Sequence, residues 1–471
     1  MIRFGTGGWR AIIADEFTKA NVCLLCQGLA DMMTQEKVAD TGVIIGYDRR
    51  FLSREAAEWA AEVLAGNGVT SQLIDREAPT PLVMFTVKRY GTAYGLAVTA
   101  SHNPAIYNGV KLFTAGGRDA DAEVTARLER FIDAVSPDQI KTLPIDTAEK
   151  SGLVNRINPS NAYIDAIIQA VNMDAIRGRD LKIALDPMFG VSRTSLQTIL
   201  MTARCDVEVI HERRDTLFGG RLPSPNVETL NALKQIVLEH HCDLGIATDG
   251  DADRLGIIDD QGHFLHPNQI LVLLYYYLLS RKGWRGPCVR NLATTHMLDR
   301  VAAKFGETCY EVPVGFKHIS AKMQETKAVI GGESSGGLTV RGHIPGKDGI
   351  YAASLLVEML AVTGLSLSAL YKEIVAQFGE LYMTEQDFRF SAEKKQAIHQ
   401  SLMVDHHLPE FSEPVDHVSW LDGCKVYFAN GGWIIARFSG TEPLLRIFCE
   451  MPKQELAEAT SLTLSAFLEL E

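Results

Sequence analysis

A pattern that occurs three times constrains this chain most: a strand-like apolar run, a turn, then a segment with helical spacing. It appears at residues 42–48 leading into 53–65, at 182–186 leading into 192–202, and at 287–293 leading into 297–305. Strand-type residues placed ahead of a 3.6-residue period predict α/β units. Each unit has a later short apolar run that opens into a loop rich in Gly, Ser or Asp, at 96–104, 244–254 and 328–337. In parallel α/β sheets ligands gather where loops leave the carboxyl ends of strands, so three comparable loops can converge on one site. The remaining tail alternates apolar residues at 425–428, 433–438 and 444–449 and ends in a helical run from Gln454, which predicts a small α+β domain.

Four domains suit the size. At 471 residues the chain is well beyond the length at which a single core stops growing. Polar and Pro-containing interruptions suggest domains at 1–155, 156–261, 262–372 and 373–471. The apolar share of 46% and charged share of 22% are those of a globular chain. A formal charge of -12 and the lack of a basic run argue against a nucleic-acid partner. The longest apolar run, residues 270–279, is too short to span a bilayer, and the start has no signal-peptide core, so no membrane partner and a cytoplasmic location are expected. Eight scattered cysteines read as reduced thiols, and the Cys23, Cys26 pair reads as helix packing rather than metal ligation.

Four loops carry chemistry. Ser101 follows the run 96–98 within Thr99, Ala100, Ser101, His102, Asn103, Pro104, an exposed turn whose hydroxyl could carry a phosphoryl group or simply shape the turn. Lys111 lies beyond the Asn108, Gly109 turn on an apolar stretch, where a lone lysine ordinarily faces solvent. Asp249, Asp251 and Asp253 alternate with Gly250 and Ala252, so in an extended loop all three carboxylates can face one hard divalent cation, and Mg²⁺ suits such oxygen ligands. A calcium loop of EF-hand type is the competing reading. Arg254 stands where that loop needs Gly, and strand-like flanks replace the helices. Residues 331–337 lack the Lys-Ser/Thr pair of a nucleotide loop, while Glu333, Ser335 and the glycines suit sugar hydroxyls or a plain flexible turn. Arg437, Ser439, Gly440 and Thr441 sit between two strand-like runs and offer a guanidinium, hydroxyls and an open backbone amide to a phosphate dianion, or else a capped hairpin. The opening residues 5–10 put Arg10 where a dinucleotide motif has its third Gly.

The order of these motifs, one per expected domain and spanning nearly the whole chain, resembles the α-D-phosphohexomutase family, and residues 4–10 look like the first motif of its phosphoglucomutase-like branch. The resemblance implies three related α/β domains with mixed sheets and a smaller C-terminal α+β domain around a central cleft. It implies an enzyme that interconverts hexose 1-phosphate and hexose 6-phosphate through a phosphoserine and a hexose 1,6-bisphosphate. By motif, Ser101 would be the phosphoserine and, with Asp249, Asp251 and Asp253, a Mg²⁺ ligand. Lys111, Arg10 and His102 would assist catalysis. Arg254, Lys317, Glu333 and Ser335 would contact the sugar phosphate, and Arg437, Ser439, Gly440 and Thr441 the distal phosphate. The resemblance implies a monomer or homodimer. Residues 336–337 are Gly-Gly, unlike the Gly-His ending of phosphoglucosamine mutases and dual mannose/glucose enzymes, which favours glucose phosphate and leaves mannose open. A noncatalytic sugar-phosphate-binding relative is the alternative class; intact Ser101, acids and Arg437 argue against it.

Overall fold

The structure, a computed structural model, describes residues 2–5, 7–438 and 444–470. The chain forms two compact units, Met1–Ile270 with Ser335–Ser368, and Leu271–Ser334 with Ala369–Glu471.

The first unit holds two sheets built on one plan. In one, the strands run in the order Trp9–Ile12, Tyr107–Thr114, Tyr94–Val98, Val43–Tyr47, Ser71–Ile74, Val154–Ile157, with Arg118–Asp119 alongside Tyr107–Thr114. The last four pair in parallel, and Tyr107–Thr114 adds antiparallel to Tyr94–Val98. The other sheet repeats this: Asp206–Val209, Lys182–Asp186 and Leu244–Thr248 are parallel, and Leu255–Ile258 adds antiparallel to Leu244–Thr248. The serine turn therefore joins Tyr94–Val98 to Tyr107–Thr114, and the acidic loop joins Leu244–Thr248 to Leu255–Ile258. Each sits at the carboxyl end of a parallel strand, where backbone groups and side chains face a ligand rather than a neighbouring strand.

The central parallel strands Val43–Tyr47, Tyr94–Val98 and Leu244–Thr248 are buried throughout. That is why their sequences read as continuous apolar runs instead of alternating ones. Helices Lys19–Gln35 and Ser53–Gly66 close the first core with Leu25, Leu29, Met32, Ala57, Val63 and Leu64, each inaccessible to solvent. Cys23 and Cys26 lie buried on the first of these helices, and all eight cysteines are free thiols.

In the second unit Cys309–Val312, Cys288–Asn291 and Ile330–Gly332 form parallel pairs. The C-terminal sheet is antiparallel, in the order Tyr382–Arg389, Leu444–Met451, Trp433–Phe438, Cys424–Phe428, Val415–Ser419. Helix Gln454–Phe467 covers it through Ala457 and Leu464.

One expectation differs from this architecture: the strand Val154–Ile157 belongs to the first sheet, so a boundary at 155 cuts through a hydrogen-bonded strand. Of the expected domain at 262–372, residues 335–368 group with the first unit. Buried polar contacts explain the attachment. The Tyr163 hydroxyl donates to both Asp348 oxygens at 2.9 and 2.8 Å, the Asn172 amide donates to Glu358 Oε2 at 2.6 Å, and Lys88 Nζ donates to the His343 carbonyl. Among the described residues no single helix is long and apolar enough to cross a membrane.

Candidate active site

The serine turn is held from below by an arginine that the sequence reading did not single out. Arg50 follows Val43–Tyr47 and is 1% exposed. Its guanidinium donates to four carbonyls of the turn: Ser101 at 2.6 Å, Asn103 at 2.7 Å, Pro104 at 2.9 Å and Tyr107 at 3.0 Å. Asp48 completes the brace, accepting from the Thr99 hydroxyl at 2.6 Å and the Ser53 hydroxyl at 2.7 Å, while Thr99 Oγ1 accepts from the Ser101 amide at 2.9 Å. Ser101 itself has φ +52°, a left-handed conformation that costs a non-glycine residue energy and that the bracing over-determines. Its hydroxyl is buried and donates to Asp249 Oδ2 at 2.7 Å.

Asp249, Asp251 and Asp253 are all buried, and one oxygen from each lies within 4.8 Å of the others. Lys111 sits on the antiparallel strand Tyr107–Thr114 and reaches Asp251 Oδ2 at 2.6 Å and Asp253 Oδ2 at 2.7 Å. It is 5% exposed, so the solvated face expected of a lone strand lysine is not where it lies. Lys347, from the loop before helix Gly349–Thr363, reaches Asp253 Oδ2 at 2.9 Å. Thr80 secures Asp251 through its hydroxyl at 2.6 Å, and the Arg254 amide donates to Asp249 Oδ1 at 3.1 Å.

Burial and the charges of Asp251 and Asp253 push Asp249 well above the usual carboxylate range. Burial acts the same way on Asp253, but Lys111, Lys347 and Arg254 outweigh it and hold that carboxyl well below its ordinary value. Lys111 is the mirror case: burial opposes its charge, and Asp251 and Asp253 raise its pKa regardless. It is thereby held protonated, which suits a cation or proton donor and not a base. Asp251 Oδ1 and Asp253 Oδ1 are buried with no hydrogen-bond partner among the described residues. Unpartnered carboxylate oxygens in a group of three clustered acids, all hard donors, fit a divalent cation such as Mg²⁺.

Two more expected residues join this cluster. Arg10, on Trp9–Ile12, donates to Asn103 Oδ1 at 2.5 Å; burial and the neighbouring Arg254 lower its pKa. His102 is pushed well below 6.5, first by the charge of Arg254, then by burial and Arg10, so its imidazole is neutral.

The first unit thus brings together Ser101, His102, Lys111, Arg10, the three acids and Arg254, and also contains Ser335. The second unit contains Lys317, Glu333 and Arg437. Glu333 follows the strand Ile330–Gly332 and accepts from the Gly315 amide at 3.2 Å and Asn291 Nδ2 at 3.3 Å. Lys317 lies in the first turn of helix Phe316–Thr326. Arg437 is the penultimate residue of the strand Trp433–Phe438 and donates from Nε to Asp422 at 2.9 Å. Ser439, Gly440 and Thr441 lie outside the described residues.

Arg50 and Lys347 were both open to sequence reasoning. Arg50 comes just after a parallel strand's carboxyl end. Lys347 precedes Asp348, whose side chain caps a helix by accepting from the amides of Ile350 and Tyr351. Gly337 carries the remaining signal: a Cβ there would stand 2.3 Å from Lys347 Cδ, so the bare glycine makes room for the lysine stem.

Models of the phosphoglucomutase/phosphomannomutase family match the chain in four places: alpha/beta/alpha domain I over residues 1–139, domain II over 161–262, domain III over 266–378, and the C-terminal domain over 404–462. A "phosphoglucomutase/phosphomannomutase" of Thermococcus kodakarensis is 28% identical over 456 residues, covering 96% of this chain and 95% of the relative. A "probable phosphoglucosamine mutase" of Methanothermobacter thermautotrophicus is 30% identical over 456 residues with the same coverage, 96% and 95%. Among solved structures, a "putative phosphomannomutase" from Thermus thermophilus superposes with a TM-score of 0.85 at 30% identity, covering 99% of both chains.

Proposed function

The chain belongs to the phosphoglucomutase/phosphomannomutase family of intramolecular phosphotransferase isomerases, and from that premise we propose that it interconverts glucose 1-phosphate and glucose 6-phosphate through a phosphoserine at Ser101 and glucose 1,6-bisphosphate. The observation that supports this best is the Ser101 hydroxyl, buried at a strained turn and hydrogen-bonded at 2.7 Å into a cluster of three acids and two lysines. A structural serine does not need Arg50, Thr99 and Asp48 to hold it in a left-handed conformation.

In the first half-reaction a sugar hydroxyl oxygen bonds to phosphorus as the Ser101 Oγ–P bond breaks; the hydroxyl proton passes to neutral His102, and Ser101 Oγ takes a proton from Lys111. The bisphosphate turns around, Ser101 Oγ returns that proton to Lys111 as it takes the other phosphoryl group, and His102 gives its proton to the sugar oxygen that releases the group. Phosphoryl transfer passes through a loose transition state, so positioning and charge outweigh base strength, and a weakly basic imidazole suffices. Arg10, Lys111, Lys347 and Arg254 supply fixed positive charge around the transferring group. Bound by Asp249, Asp251, Asp253 and a Ser101 phosphate oxygen, Mg²⁺ would contribute Lewis-acid neutralisation of phosphoryl charge. Arg437, with Ser439, Gly440 and Thr441, would hold the phosphate that does not react, and Lys317, Glu333 and Ser335 would contact the sugar. Holding a remote phosphate orients the reacting end and raises turnover as well as affinity.

Glucose is preferred in this reading because Gly337 leaves room for Lys347 where the Gly-His relatives carry a ring. The test is kcat/KM for the 1-phosphates of glucose, mannose and glucosamine with Mg²⁺ and the matching bisphosphate, alongside Ser101→Ala. Glucose 1-phosphate should give the highest value, and Ser101→Ala should abolish conversion and the phosphorylated Ser101 peptide in mass spectrometry. Normal turnover by that variant would overturn the nucleophile; a glucosamine or mannose preference would overturn the substrate.

A further inference from the structure

Arg437 does not stand alone in the second unit. Asp422 Oδ2 accepts from Arg437 Nε at 2.9 Å and from the Val314 amide at 2.9 Å. One carboxylate oxygen thus joins the C-terminal sheet to the 313–318 loop. The next amide along that loop, Gly315, donates to Glu333. Two consecutive backbone donors are therefore shared between two carboxylates, one beside the arginine and one in the Gly-rich loop.

The backbone at Asp422 is built for this reach. Gly423 has φ +97°, and a Cβ there would stand 2.6 Å from the Ala436 carbonyl and 3.2 Å from Arg437 Cα. Only glycine lets the turn lie against the strand Trp433–Phe438 closely enough for Asp422 to bond the guanidinium from the side. A guanidinium carries five N–H donors in a rigid plane. A single bond at Nε fixes the orientation of that plane without exhausting its donors, and a bidentate grip on phosphate depends on that orientation.

We infer that Asp422 is a positioning residue: it aligns Arg437 for the non-reacting phosphate and ties that grip to the 313–318 loop, so that phosphate and sugar are read by one connected unit. The inference rests on the reading of Arg437 as a phosphate ligand. The lone Lys317 and His318 on the first turn of helix Phe316–Thr326 bring the remaining charged and titratable groups of that loop to the same neighbourhood, and His318 feels both Asp422 and Glu333.

The test is a double-mutant cycle between Asp422→Ala and Arg437→Ala on the full chain, reading KM and kcat for glucose 1-phosphate with Mg²⁺ and glucose 1,6-bisphosphate. Asp422→Ala should raise KM about tenfold, the scale of one lost charge-assisted hydrogen bond, with a smaller fall in kcat. Asp422→Asn, which keeps an acceptor oxygen, should restore most of that loss. In the Arg437→Ala background, Asp422→Ala should change KM no further, because a residue that acts through another has nothing left to align. Multiplying effects, or an unchanged KM in Asp422→Ala while Arg437→Ala raises it, would overturn the positioning role alone. An unchanged KM in Arg437→Ala would overturn the phosphate reading and the inference with it. If Asp422→Ala does not fold, the same cycle is run with Asp422→Asn, whose smaller KM increase should likewise vanish on Arg437→Ala.

Discussion

Lys111→Met separates the cation-binding reading of the acidic loop from a purely structural one. The lysine is buried and spans two carboxylates at 2.6 and 2.7 Å. Removing one partner of a buried ion pair costs roughly 3–5 kcal/mol, because the carboxylates left behind have lost both solvent and counter-charge. Lys347 remains on Asp253, and Thr80 remains on Asp251, so the lower part of that range applies without metal. With Mg²⁺ present the balance reverses. The ammonium and the cation are drawn to the same carboxylates, the lysine at Oδ2 and the metal at the unpartnered Oδ1, and a unit charge about 4 Å from a divalent ion is repelled by roughly 8 kcal/mol at an effective dielectric of 20. Even a sixth of that makes the metal bind about tenfold more tightly once the ammonium is gone, since 1.4 kcal/mol is a factor of ten. The measurements are Mg²⁺ titration by calorimetry and thermal melting in EDTA and in saturating Mg²⁺, for both proteins. The variant should melt lower in EDTA, recover more of its stability than the parent on adding Mg²⁺, and show the smaller Kd. Equal losses in both buffers together with an unchanged or weaker Kd would refute the repulsion, and with it the assignment of these carboxylates to a metal.

Gly337→Ala places a methyl group 2.3 Å from Lys347 Cδ, so the lysine must leave Asp253; kcat should fall about tenfold or more, and Lys347→Met should add nothing to it. Additive losses would mean that the glycine matters for another reason. In the second unit, His296 is held at about 3, by burial first and then by Arg290, with its ring against Trp433 and Tyr427. Its folded pKa lies below the unfolded value of 6.5, so the unfolded chain takes the proton first. The contribution is intact above pH 6.5 and is lost as pH falls from there toward 3, amounting to about 2 kcal/mol at pH 5. His296→Gln should therefore lose less melting temperature between pH 7 and pH 5 than the parent; parallel pH slopes would count against the buried neutral imidazole.

The sequence made the repeating units legible because buried parallel strands must be apolar on both faces and their helices amphipathic; the strand Lys182–Asp186 has the bounds its residues suggest. The antiparallel additions were less visible. Tyr107–Thr114 carries Lys111 and Asn108 within an apolar stretch, and both are buried for reasons that lie far along the chain, in Asp251 and Asp253 for the lysine, and in a turn at Phe51 and Ser53 for the asparagine. Tyr382–Arg389 is partly exposed along its length, so no buried face marks it in the sequence, and only its register against Leu444–Met451 makes it a strand.

The same asymmetry governs the site. Residues that do the proposed chemistry stand in short motifs because chemistry needs particular functional groups on one turn: Ser101, the alternating acids, Arg437. Residues that hold them need only reach the right atoms from wherever the fold puts them. Arg50 meets four carbonyls of a turn fifty residues away, Lys347 reaches the third acid across a space that Gly337 leaves vacant, and Asp422 orients Arg437 from a neighbouring turn. A lone Arg, Lys or Asp carries only its place in the chain, after a strand for Arg50 and ahead of a helix cap for Lys347. A glycine without room for a Cβ, as at Gly337 and Gly423, adds a second signal, because it marks the place where another side chain or backbone must pass. Such glycines are therefore the sequence positions from which supporting residues can be sought.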